Sequence, residues 1–398
     1  MTVHIKPGAA RGEVVAPTSK SVAHRLLISA ALADGVSRIS GITPCADVLA
    51  TIDCLNALGA EIELLGDVAT VCGFNPCTAS ADKTLWANES GSTLRFLIPI
   101  ALLSDKKITF GGASRLMGRP LSIYEELCSE LGLGFEREGG EISVCGPLRA
   151  KKFKLRGDIS SQFITGILFA LPLIGGGEIE LTTRLESKSY VDLTLEAMGE
   201  FGIEACFTNE NTIRVSGGEY TPKDMVVEGD WSAAAFIKAL CCFGGDAQAT
   251  GLRDDSKQGD KVCSEHIASL KAGFAKIPLD DCPDLAPVLF TVAAACNGGE
   301  FVGTARLKIK ESDRAAVMAE ELAKFGAKVD VCENSVTVHK TELHAPSEIL
   351  RGHNDHRVVM SLAVLCTKFG GVIDGAEAVS KSYPEFFSDL SSLDIEVN

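Results

Sequence analysis

The residues best placed for chemistry in this chain are cations and hydroxyls standing at the starts of apolar stretches. Lys20, Ser21 and Arg25 lie just ahead of and inside the first turn of a stretch that turns apolar at Leu26, with Ser19 before them. A helix start offers unpaired N–H groups and a partial positive charge. Adding a lysine, an arginine and two hydroxyls suits it to an anion. Polar starts recur at Ser90-Gly91-Ser92, Ser160-Ser161-Gln162, Asp230-Trp231-Ser232, Asp284 and Asp355-His356-Arg357. Outside them, Arg115 and Arg119 share a glycine-bearing loop, Lys308 to Arg314 mixes both charges, and Lys381 precedes the last helix. Arginine suits carboxylate and phosphate because its planar fork donates in pairs. Read as residues alone, Asp284 is equally an N-cap or a general base. Ser160-Ser161-Gln162 is a cap or a ligand set. Lys310 to Arg314 reads most simply as a capped, salt-bridged helix start.

The surrounding chain must gather these groups. It has 398 residues, enough for two domains, and 46% hydrophobic with 23% charged residues is globular. The formal net charge of −15 disfavours nucleic acid and anionic membranes as partners. An acidic protein that binds anions must concentrate its cations in one cleft. The 14 cysteines form no CxxC pair and no tight cluster in the sequence, which fits reduced thiols in a cytoplasmic protein. His353, Asp355 and His356 have no third ligand at a familiar spacing, so no metal is expected. There is no Walker A or GxGxxG pattern, which disfavours nucleotide cofactors. The first stretch, Met1 to Pro7, has no apolar signal core, and the longest apolar stretches are too short to span a bilayer.

A two-part pattern runs along the chain. Its first part is a polar start followed by a helix apolar on nearly every face, at 21–35, 90–105, 160–175, 231–244, 284–298 and 356–370. Gly35 is expected to stop the first of these. Its second part is an amphipathic helix ending in a Leu-Gly-like step, then a strand. The markers are Gly59, Gly132, Gly202, Gly273, Gly326 and Asp394. This spacing predicts an α/β fold of six strand–helix–strand–helix–strand–strand units, with all-apolar helices buried. Two closed domains of three units each are expected.

Taken in order, Ser19-Lys-Ser with His24-Arg25, Gly91-Ser-Thr-Leu-Arg95, Arg119-Pro120, Ser160-Ser-Gln162, Glu228-Gly-Asp230, Pro283-Asp284, Lys310-Glu-Ser-Asp-Arg314, Asn354-Asp-His-Arg357 and Lys381 resemble the EPSP synthase family of enolpyruvyl transferases. The resemblance runs along nearly the whole chain. It implies a two-domain inverted α/β barrel of six βαβαββ repeats, three per domain. One domain would hold residues 1–18 with 229–398 and the other 19–228. The hinges would fall near Ser19 and Glu228, with the active site in the interdomain cleft. It also implies a cytoplasmic monomer with no metal and no organic cofactor.

The family moves the enolpyruvyl group of phosphoenolpyruvate to the 5-hydroxyl of shikimate 3-phosphate and releases phosphate. Carried over by resemblance, Ser160, Ser161 and Ser187 meet the phosphate of shikimate 3-phosphate and Arg25 its carboxylate. Lys20, Ser21, Gln162, Tyr190, Asp284 and Lys310 complete that subsite. Phosphoenolpyruvate is assigned to Lys20, Gly91, Arg119, Gln162, Arg314, Arg357 and Lys381. Asp284 is the expected base toward the hydroxyl, Glu311 the acid at the methylene carbon, and Lys20 assists. Glu89-Ser90, Trp231 and Arg306 depart from the commoner family pattern. A sister family acting on UDP-N-acetylglucosamine normally carries a cysteine in the loop matching Ser114–Pro120, and this loop has none.

Overall fold

The computed structural model describes residues 1–81 and 83–398. The chain divides into two compact units, Thr18–Glu228 and the pair Met1–Pro17 with Gly229–Asn398.

In the unit Thr18–Glu228 the helices are α1 (Lys20–Ala31), α2 (Ala46–Leu58), α3 (Gly91–Ala101), α4 (Ser114–Met117), α5 (Ser122–Leu131), α6 (Ser161–Ala170) and α7 (Lys188–Glu200). Helices α1, α3 and α6 are the apolar ones. Leu27, Ile28, Leu97, Ile98, Ile167 and Leu168 are fully buried in one hydrophobic cluster. Each such side chain contributes about 1.5–3 kcal/mol over its exposed state, which overrides the low helix propensity of their β-branched members.

Three four-stranded sheets enclose this core, and all share one pairing pattern. The first has the order Met225–Val226, Val36–Ser40, Val68–Cys72, Glu61–Leu65. The second runs Leu85–Trp86, Ile108–Gly111, Glu141–Cys145, Gly134–Glu138, and the third Lys152–Leu155, Gly176–Leu181, Thr212–Ser216, Ala205–Asn209. In each, the first pair is parallel and the other two pairs are antiparallel. The parallel pairing needs a long crossover, and the antiparallel hairpin needs only a short turn.

The second unit holds α8 (Trp231–Ala239), α9 (Cys263–Ala272), α10 (Ala286–Ala295), α11 (Arg314–Ala323), α12 (His356–Phe369) and α13 (Phe386–Ser392). Its four-stranded sheet repeats the same order with Ala275–Pro278, Gly299–Val302, Ser335–Val338 and Val329–Val331. Thr2–Ile5 pairs antiparallel with Gly371–Asp374, and Glu13–Val15 lies parallel to Gln248–Thr250. The N-terminal segment is therefore part of this unit's sheets.

Several boundaries differ from expectation. Helix α1 ends at Ala31 with Leu32 as its cap, so Gly35 is not the stop. Gly35, at φ +139°, turns the chain into the strand Val36–Ser40 instead. Helix α10 begins at Ala286, leaving Asp284 in a preceding 3₁₀ turn, Pro283–Leu285. The Arg115–Arg119 stretch is partly helical, as α4, with Arg115 exposed. Two of the Leu-Gly markers cap their helices in the left-handed region, Gly59 after α2 at φ +118° and Gly132 after α5 at φ +66°. Helices α7 and α11 are capped by Phe201 and Lys324, ahead of Gly202 and Gly326, and Asp394 takes φ +67° after α13, a conformation a short polar side chain tolerates. Gly273 is extended instead. The cysteines are free. No helix among the described residues is long and apolar enough to cross a membrane.

Candidate active site

Each unit gathers its own group of predicted residues at the starts of its buried helices. In Thr18–Glu228, Ser19 sits at the N-cap of α1 in extended conformation but makes no side-chain cap. Lys20 opens the helix and pairs with Asp47 of α2, Nζ to Oδ2 at 2.8 Å. Arg25 is one turn further in and buried. Its Nε donates to Thr194 Oγ1 at 2.9 Å, Nη1 to the Ser21 carbonyl at 2.6 Å and Nη2 to the Tyr190 carbonyl at 2.8 Å. Its guanidinium also lies 5.2 Å from the Phe96 ring centroid. Burial brings this guanidinium down to about 10, which leaves it charged at neutral pH. Arg25 therefore ties Ser21 and Tyr190 to one fixed cation.

Gly91 opens α3, capped by Ser90, whose Oγ accepts from Thr93 N at 3.2 Å. Three polar side chains converge over this glycine. A Cβ there would stand 2.9 Å from Arg119 Nη1, 3.2 Å from Arg95 Nη1 and 3.5 Å from Gln162 Oε1. Arg95 donates to Gln162 Oε1 at 2.6 Å, and Gln162 donates onward to Ser92 Oγ at 3.0 Å. Ser160 is the N-cap of α6, its Oγ accepting from Gln162 N, and Ser161 is the first helical residue. The capping function read at Ser160 is real, and it sets Gln162 toward Gly91. Ser187 occupies the N-cap position of α7 at φ +57° without capping, with its side chain buried.

In the other unit the predicted residues form one charge network around Arg314, which is 1% exposed. Its Nη1 donates to Asp284 Oδ1 at 2.7 Å, Nη2 to Glu311 Oε2 at 2.7 Å and Nε to Asp355 Oδ2 at 2.9 Å. Arg357 Nη2 reaches Asp284 Oδ2 at 2.9 Å, and Lys310 Nζ lies 3.3 Å from Asp284 Oδ1. Asp284 is thus no N-cap: its carboxylate is held by three cations. Burial alone would raise its pKa, but Arg357, Lys310 and Arg314 outweigh burial and hold it well below the usual carboxylate range. For Lys310 burial wins, and its ammonium is drawn below the ordinary lysine value.

Asp313 caps α11 through Ala316 N, so the capped, salt-bridged helix start expected at Lys310 to Arg314 is present, with Arg314 turned inward. Asp355 caps α12 and also accepts from Ser312. Lys381 donates to the carbonyl and side-chain oxygens of Asn354 at 2.7 and 2.8 Å. His353 faces Glu321 at 2.9 Å, away from Asp355, and Glu321 is also paired with Lys324. Trp231 is held at its backbone N by Gln258 and at Nε1 by the Arg253 carbonyl, and Arg306 donates to the Asp280 carbonyl.

Four participants escaped the sequence reading as site residues: Asp47, Arg95, Asp355 as the partner of Arg314, and Asp260. Arg95 had a legible signal, since it lies four residues after Gly91 and so on the same helix face. Asp260 hydrogen-bonds Ser232 at the start of α8. Burial, then the nearby charge of Asp284, pushes its pKa up to about 7.

A family model described as EPSP synthase (3-phosphoshikimate 1-carboxyvinyltransferase) matches residues 5–390. A Clostridium kluyveri protein named 3-phosphoshikimate 1-carboxyvinyltransferase is 38% identical, covering 100% of this chain and 98% of its own. A Clostridium beijerinckii protein of the same name is 40% identical over 98% of this chain and 96% of its own. The solved EPSP synthase of Acinetobacter baumannii superposes with a TM-score of 0.78 at 24% identity, covering 100% of this chain. That likeness places the mixed α/β fold beside the sequence matches. With the match spanning both clusters of charged and polar residues, the chain belongs to the EPSP synthase family.

Proposed function

We propose that this chain transfers the enolpyruvyl group of phosphoenolpyruvate to the 5-hydroxyl of shikimate 3-phosphate, releasing phosphate through a tetrahedral addition–elimination intermediate. Full-length relatives bearing the transferase name support it. The observation that carries it is the network in which Lys310, Arg314 and Arg357 converge on one buried carboxylate, Asp284.

In this reading Arg25, Ser160, Ser161, Ser187 and Tyr190 hold shikimate 3-phosphate, with Ser21, Gln162 and Lys310. Gly91, Arg119, Gln162, Arg314, Arg357 and Lys381 hold phosphoenolpyruvate, with Lys20. Arg95 joins them by fixing Gln162. The incoming phosphate and carboxylate groups compete with Asp284 for its cations. As the cations turn to substrate, Asp284 regains basicity and takes the proton of the attacking hydroxyl. Glu311 delivers a proton to the methylene carbon. The oxygen–carbon bond forms as the double bond becomes a methyl group. Loss of a methyl proton then expels phosphate and restores the double bond. Holding two polyanions in place removes most of the entropic barrier to their meeting.

The same reading includes an inverted α/β barrel in each domain, six βαβαββ repeats with three per domain, and closure about hinges near residues 19 and 228. The shared strand pairing of four sheets and the unit boundaries at Pro17/Thr18 and Glu228/Gly229 support it. A cytoplasmic monomer without metal or organic cofactor completes it.

Purified protein given both substrates is expected to release inorganic phosphate, and to release none when UDP-N-acetylglucosamine replaces shikimate 3-phosphate. Release only with the nucleotide sugar assigns the sister activity. Release with neither leaves an anion-binding protein and ends the proposal.

A further inference from the structure

Helix α11 carries Arg314 at its start and Glu321 two turns further on, which puts both on one helix face about 10 Å apart. Arg314 bonds Asp355. Glu321 is fully buried and holds the segment just before Asp355. Its Oε2 accepts from the Arg351 backbone N at 2.9 Å, and its Oε1 lies 2.9 Å from His353 Nε2. A carboxylate has no proton to give, so His353 Nε2 carries the hydrogen. Lys324 Nζ donates to both oxygens, at 2.9 and 2.8 Å. Burial would raise the Glu321 carboxyl, but His353, Lys324 and the Arg351 N–H outweigh burial and hold it below its ordinary value.

The segment so held is strained. Gly352 to Asp355 forms a turn closed by Asp355 N, which donates to the Gly352 carbonyl at 2.9 Å. Its central residues, His353 and Asn354, have φ of +49° and +54°. Two successive side-chain-bearing residues in the left-handed region cost backbone energy, and such a turn persists where its surroundings fix it. The turn does more than link the strand Leu350–Arg351 to α12. It directs the carbonyl and side-chain oxygens of Asn354 at Lys381 Nζ, at 2.7 and 2.8 Å. Lys381 is buried at the end of the 3₁₀ turn Ala376–Lys381. Two acceptors on one ammonium fix the direction of its third hydrogen.

We propose that Glu321 is a positioning residue for phosphoenolpyruvate binding: it locks the left-handed turn at His353–Asn354, and the turn aims Lys381. This role rests on the reading in which Lys381 holds phosphoenolpyruvate. Helix α11 serves as a rigid bar. Arg314 fixes the chain after the turn and Glu321 fixes it before, so the turn is kept from relaxing toward ordinary backbone angles. The link from Glu321 to Lys381 runs through backbone conformation. Glutamine has one acceptor oxygen where glutamate has two. Glu321→Gln therefore leaves the Arg351 N–H or the His353 ring N–H facing an amide NH₂. The turn loses part of its hold, and the Asn354 oxygens drift off Lys381.

The test is steady-state kinetics and amide hydrogen exchange on the purified full chain. Phosphate release by the parent is measured first, so that a failure of the function reading shows separately. Glu321→Gln is expected to raise KM for phosphoenolpyruvate about tenfold while kcat falls by about threefold or less. A loss of stability alone would lower the active fraction and leave KM unmoved. Amides of residues 352–357 should exchange faster in the variant than in the parent. Adding His353→Asn to Glu321→Gln should recover most of the KM, because asparagine takes positive φ more readily than histidine. If Glu321→Gln does not fold, His353→Val decides alone. A β-branched residue resists φ near +49°, so this variant should raise the same KM about tenfold with Glu321 and Lys324 still paired. An unchanged KM in both single variants, or a raised KM that His353→Asn does not relieve, overturns the proposal. Unchanged exchange at those amides overturns it whether or not the parent turns over.

Discussion

Arg314 donates to Asp284 at 2.7 Å from a position almost wholly out of solvent, and the same guanidinium serves Glu311 and Asp355. One buried cation thus bonds three carboxylates, two of which the proposed reaction needs as proton carriers. Removing it leaves those carboxylates facing one another. Arg314→Met is expected to cost about 3–5 kcal/mol of stability, read by urea unfolding, along with nearly all turnover. A variant as stable as the parent would show that the network is not held in this form.

Gly91 is required by a side-chain approach rather than by its backbone. It lies at the first position of α3, where alanine is compatible with the helix and favoured by roughly 0.5–1 kcal/mol over glycine. A Cβ would nonetheless press on Arg119 Nη1 at 2.9 Å. Gly91→Ala is therefore expected to keep or raise the melting temperature while raising KM for phosphoenolpyruvate about tenfold, or about 1.4 kcal/mol. An unchanged KM would remove Gly91 and Arg119 from that subsite.

Lys20→Ala and Glu311→Gln are each expected to lower kcat by about 10²–10⁴, the range for losing a positioned proton carrier, with the circular dichroism spectrum preserved. Lys20 pairs with Asp47 with both side chains largely buried, so Lys20→Ala should also lower stability, which urea unfolding reads separately from turnover. Near-normal turnover in Glu311→Gln would take it out of the acid role.

Asp260 gives a pH signature. Its folded pKa of about 7 lies above the unfolded value near 3.8. Between those limits the folded state holds a proton that the unfolded state has lost, so stability falls as pH rises from about 4 to 7. Asp260→Asn keeps a partner for Ser232 and removes the titration. Its stability relative to the parent should improve across that window, measured by unfolding at each pH. A constant difference from pH 4 to 7 would contradict the raised value.

Much of the site was legible because helix starts are marked by residue type. Gly91, Ser160-Ser161-Gln162, Asp284, Arg314 and Arg357 all lie at or next to the starts of helices. Their partners were not legible. Arg314 and Asp355 are 41 residues apart and Lys20 and Asp47 are 27 apart, so each pairing exists only after packing. Helix ends were the weakest reading. Gly35 and Asp284 each sat a few residues outside the helix assigned to them, because a short turn, not the glycine or the acid, closes or opens it.

The central claim is that a methyl-bearing tetrahedral intermediate forms and collapses. Proton NMR of turnover with phosphoenolpyruvate and shikimate 3-phosphate in D₂O tests it most directly. The account predicts an enolpyruvyl ether at the 5-oxygen with deuterium in its vinyl methylene, since the transient methyl group gains a solvent deuteron and loses one of three. An ether with a wholly protonated methylene, or no ether at all, would contradict it.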